Sequence, residues 1–137
     1  MARRTGDEQS RAGFRRRARR AGTRELRLDP AAVDTLLDLT ADPDAQVRNE
    51  AVRSLCPCHV QGNIARVWDR LLAMVTDPDA RVRATVLHTL CDGSPRLREA
   101  EVVHALEQMD NDPDPQLRRR VRHLLASYRR TGKINIL

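Results

Sequence analysis

Three kinds of side chain in this sequence are placed to do chemistry. Carboxylates recur in pairs one residue apart, Asp42 with Asp44, Asp77 with Asp79 and Asp112 with Asp114, each pair flanking a proline. Such a pair can hold a divalent cation, directly or through a bound phosphate, or it can start a helix. Soft ligands gather in "CPCHVQG", residues 56–62, where Cys56, Cys58 and His59 lie close together and Cys91 follows later. With the right geometry those four would suit zinc. Guanidinium groups form two runs: Arg15, Arg16, Arg17, Arg19 and Arg20 near the N-terminus, and Arg118, Arg119, Arg120 and Arg122 near the C-terminus. Runs of this kind bind polyanions with a strong dependence on salt.

The elements that carry these groups follow from an internal repeat. "ADPDAQVR" begins at Ala41, "TDPDARVR" at Thr76 and "NDPDPQLR" at Asn111, so the step is 35 residues both times. The register extends beyond the turn. Leu36, Leu71 and Leu106 align before it, and Val47, Val82 and Leu117 align after it, followed by Leu55, Leu90 and Leu125. Apolar residues recur at helical spacing on both sides, and no window alternates with period two. Each unit therefore reads as two helices, with no sheet. A residue before proline is pushed out of the helical region, so Asp42, Asp77 and Asp112 mark the end of each first helix. Pro115 suits the first position of a helix, which makes Asp114, and by register Asp44 and Asp79, the N-caps. Each cap is worth about 0.5–2 kcal/mol. Triplication in register favours this reading over a metal site.

Paired helices joined by D-P-D-x-x-V-R resemble HEAT-like repeats, the short bacterial type also found in bilin lyases. The resemblance covers residues 30–130. It implies an all-α fold, a short right-handed α-solenoid of about three helical hairpins. It also implies a ladder of ion pairs between neighbouring repeats, in which Asp44, Asp79 and Asp114 would meet Arg48, Arg83 and Arg118. The expected organisation is a basic arm over residues 1–26, a repeat domain over 27–131 with units at about 30–58, 62–93 and 97–130, and an apolar tail over 132–137. Gly132 is placed to end the last helix, and Ile134, Ile136 and Leu137 are expected to fold back over the last repeat.

Each remaining candidate has a plainer reading. The C-x-C-H spacing departs from the usual C-x₂-C of zinc sites. Cys56 and Cys91 hold equivalent helix positions, which on packed helices lie ~8–10 Å apart, too far for both to reach one ion at ~2.3 Å. The thiols are read as core residues plus a loop, with no metal and no cofactor. Trp68 aligns with Val33 and Val103, apolar positions, and is read as packing. Residues 1–24 hold nine arginines against Asp7 and Glu8, while the rest of the chain is near neutral.

These features point away from catalysis. No nucleophile pattern surrounds His88 or His123. HEAT-like DNA glycosylases use aromatic residues against DNA, and Phe14, Trp68 and Tyr128 are the only aromatics here. Nothing marks a tetrapyrrole site. The expected function is a non-catalytic scaffold presenting a concave surface to a protein partner. The alternative is binding to a nucleic-acid backbone through the arm and the basic third repeat. No stretch reaches the ~18 apolar residues of a membrane span, no secretory apolar segment is present at the N-terminus, and three cysteines make no disulfide framework, so a cytoplasmic protein with reduced thiols is expected.

Overall fold

A computed structural model describes residues 30–56 and 64–134. The basic arm with Arg15, Arg16, Arg17, Arg19 and Arg20 lies outside the described residues, as do Cys58, His59, Ile136 and Leu137. Among the described residues there are six α-helices and no strand: α1 (Pro30–Leu39), α2 (Ala45–Ser54), α3 (Ala65–Ala73), α4 (Ala80–Cys91), α5 (Glu99–Gln108) and α6 (Pro115–Thr131). They form three consecutive hairpins, α1–α2, α3–α4 and α5–α6, stacked as a short α-solenoid. The most extensive contact joins the second helices α2 and α4.

The aligned apolar positions form the core. Leu36, Leu71 and Leu106 are buried on the first helices, and Val52, Leu87, Val121 and Leu125 on the second. One continuous cluster runs from Ala32 to Ile134 through all three units. A leucine taken out of water this fully contributes roughly 1.5–3 kcal/mol. No single hairpin could bury both of its faces, so stability comes from stacking. Trp68 is 2% exposed and belongs to this core; it fills the space that Val33 fills one unit earlier.

The turns form as the Pro and Asp chemistry requires. In units two and three the first helix tightens into a 3₁₀ turn, Met74–Thr76 and Met109–Asn111, before Asp77 and Asp112 leave the helical region at ψ 139° and 135°. The second helix then starts at an extended N-cap. The Asp44 carboxylate accepts from the Gln46 N–H, Asp79 from Arg81 and Val82, and Asp114 from Leu117. Burial pushes the Asp79 carboxyl up, but the two backbone N–H groups and the Arg81 guanidinium outweigh it and hold the group below its ordinary range. At the far end Gly132 adopts a left-handed φ of 67°, and its N–H donates to the Tyr128 carbonyl. Positive φ suits glycine, and the reversal sends Ile134 into the core, where it is 2% exposed.

Candidate functional site

The arginines sort into two environments. The first is a ladder along the turns. The Arg48 Nε donates to Asp77 Oδ2 at 2.9 Å and its Nη2 to Asp77 Oδ1 at 3.1 Å. One unit later the Arg83 Nε donates to Asp112 Oδ2 at 2.7 Å and its Nη2 to Asp112 Oδ1 at 2.9 Å. The third branch of each fork closes its own turn: Nη1 of Arg48, Arg83 and Arg118 donates to the carbonyls of Asp42, Asp77 and Asp112. The acceptor Asp also binds its own turn, since Asp77 Oδ1 accepts from the Asp79 N–H and Asp112 Oδ1 from the Asp114 N–H. Hydrogen bonding to the carboxylate raises the pKa of Arg48 and Arg83 further. At Asp112 desolvation works upward, but the Arg83 hydrogen bonds, the Asp114 N–H and the charges of Arg83 and Arg118 hold the carboxyl below its ordinary value.

This geometry corrects the expected pairing. The ladder carboxylates are the first Asp of the next turn, Asp77 and Asp112, and not the caps Asp79 and Asp114. A cap carboxylate is turned toward the N–H groups of its own helix, which leaves the residue before proline to face the preceding unit. Among the described residues Arg118, in the last unit, keeps the bond to its own turn and has no carboxylate rung.

The second environment is a groove of about 630 Å³ formed by the second helices. Asn49 and Arg53 of α2, Arg81, Thr85, His88 and Thr89 of α4, and Arg120 of α6 line it. Arg53 and Arg120 are exposed and make no ion pair among the described residues. Arg81 meets Asp79 at 3.5 Å with its side chain 80% exposed. Asn49 Oδ1 is buried without a hydrogen-bond donor. The groove is therefore rich in cations.

The run Arg118, Arg119, Arg120 and Arg122 is not one basic stripe. At ~100° per residue neighbours point apart. Arg120 lines the groove, Arg122 donates to Asp110 at 3.1 Å, and Arg118 is tied to its turn. His123 is exposed and does not line the groove, although it shares a register position with His88 and Arg53.

The thiols separate as well. Cys91 is fully buried in the core, and burial pushes its thiol up to about 12 against the opposing charge of Arg120. Cys56 instead lies against the end of α4, where its Sγ donates to Asp92 Oδ2 at 3.4 Å. His88 Nε2 lies 3.5 Å from the same oxygen. A carboxylate thus sits between thiol and imidazole. An activated thiol needs the imidazole in that central place, so the arrangement is not that of a cysteine nucleophile. In the sequence His88 enters only as a base without a nucleophile, and Asp92 belongs to no motif. Their i, i+4 spacing at a helix end was the available signal.

With this architecture in view, the class of the protein is settled. The chain belongs to the HEAT-repeat family, whose profile, described as HEAT repeats, matches residues 33–126. No curated protein and no solved structure matches the sequence at a significant level. HEAT repeats are commonly protein-interaction scaffolds and generally lack catalytic activity. No helix among the described residues is long and apolar enough to cross a membrane.

Proposed function

We propose that the protein is a non-catalytic scaffold whose second-helix groove receives an acidic segment of a protein partner. The observation that carries this reading is the groove's charge: Arg53 and Arg120 line one depression with no ion pair among the described residues. Carboxylates of a bound segment would answer them. Charge complementarity of this kind sets partner choice and association rate more than raw affinity.

Affinity purification from the native cell, with and without nuclease, tests the proposal. A specific protein retained after nuclease by the wild-type chain, and lost from an Arg53→Glu/Arg120→Glu variant, is the expected result. If nuclease strips every associated protein, the backbone-binding reading through the arm and the third repeat takes its place. Retention of the same partner by the double variant places the interface elsewhere.

A further inference from the structure

We infer that Cys56, His88 and Asp92 form a binding site for a thiophilic divalent cation of the zinc class, at one end of the groove. The site stands independently of the partner proposal, because it rests on ligand geometry alone. His88 and Asp92 are four residues apart at the last turn of α4, so they share a face. Cys56 follows the end of α2. The close packing of α2 on α4 brings the thiol to that face.

The distances fit a metal polyhedron. Zinc binds sulfur at ~2.3 Å, imidazole nitrogen at ~2.0–2.1 Å and carboxylate oxygen at ~2.0–2.2 Å, in tetrahedral geometry. The edges of such a tetrahedron are then about 3.4–3.6 Å. The Cys56 Sγ to Asp92 Oδ2 distance is 3.4 Å, and the His88 Nε2 to Asp92 Oδ2 distance is 3.5 Å. All three ligand atoms lie within 4.8 Å of one another. The third edge, within the same 4.8 Å limit, closes by rotation of the imidazole, whose side chain is 48% exposed.

The donor set also fits in chemistry. A thiolate and an imidazole select a borderline-soft ion over magnesium or calcium. Binding releases the Cys56 thiol proton to solvent, and the thiolate and carboxylate together balance the two positive charges. Cys56 and His88 both line the groove, so the fourth vertex opens toward it. Three protein ligands with one open vertex is a known zinc arrangement. Cys91 takes no part, since its thiol is sealed in the core.

Full-length protein, reduced and stripped with a chelator, is titrated with Zn²⁺ alone and with Co²⁺ alone. The expected result is one tight equivalent per chain, a thiolate-to-cobalt charge-transfer band and a zinc-dependent rise in Tm. His88→Ala and Asp92→Asn should each weaken binding by more than the roughly 10–100-fold that loss of an outer-shell partner costs. Cys91→Ala should leave binding unchanged. Cys56→Ser removes a buried group and can fail to fold, whereas His88 and Asp92 lie nearer solvent and keep the test open. Absence of binding overturns the inference. So does binding that survives both His88→Ala and Asp92→Asn, or cobalt binding without the charge-transfer band.

Discussion

Arg83 and Arg53 are the same residue type on equivalent helices, yet their surroundings differ in every respect. Arg83 is 8% exposed and places each branch of its fork on an oxygen, two of them from the neighbouring unit. Arg53 is exposed at the groove, with no ion pair among the described residues. A buried guanidinium is tolerated only when it is fully paired. One left in water is available to something else. The face of the helix decides which role an arginine takes: Arg48 and Arg83, four residues after their N-caps, meet the next unit's D-P-D, whereas Arg53, Arg81 and Arg120 turn to the groove.

The contrast can be broken at the ladder. Arg83→Ala leaves Asp112 buried without its partner and should cost about 3–5 kcal/mol, read as a shift of the urea midpoint. Arg48→Ala should cost less, because the Arg48 side chain is 13% exposed against 9% for Arg83 and water can reach the orphaned Asp77 more easily.

Acid should weaken the same rung. The folded Asp112 carboxyl sits below its unfolded value of about 3.9. Its contribution is therefore complete above that value and is lost as pH falls through the folded pKa. Thermal melts between neutral pH and pH ~2 should show this decline, and Asp112→Asn should flatten that part of the profile. A smaller effect is expected at the caps. Asp79→Ala removes the acceptor for two N–H groups and should cost ~1 kcal/mol, measurable by denaturant titration.

The smallest change in stability is expected at the groove, and it sharpens the comparison most. Arg53→Glu and Arg120→Glu should each stay within about 0.5 kcal/mol of wild type while abolishing partner retention. A loss at Arg53→Glu as large as that at Arg83→Ala would make the two environments equivalent and end the distinction.

The helical hairpins, the core and the caps were legible in the sequence because the 35-residue register repeats local signals three times. Aligned leucines locate the buried stripe, and Pro115 fixes the helix start from which Asp44 and Asp79 follow. The pairing of the ladder was harder to read. Both Asp residues of a turn lie near the Arg in sequence, and only the packing of units shows which one faces back. The clue was present: a cap carboxylate already committed to its own helix leaves the other Asp for the neighbour. The faces that the Arg118–Arg122 run would occupy were hard to read for a different reason. Density of charge along a sequence says nothing about faces, and a helix turns consecutive residues apart. The Cys56, His88 and Asp92 grouping depends on a contact between two units, which no local window contains.

The ladder points one way. Each arginine donates its rung to the unit that follows it, 29 residues on in both cases. That fixed phase sets a rule for how such a chain can change length. Duplicating or deleting one whole 35-residue stretch creates or removes one rung and leaves the others intact. An insertion inside a helix would turn the acceptor off its donor, whereas a surface loop between hairpins can lengthen without moving either. Growth by whole units therefore preserves every rung, and growth within a helix does not.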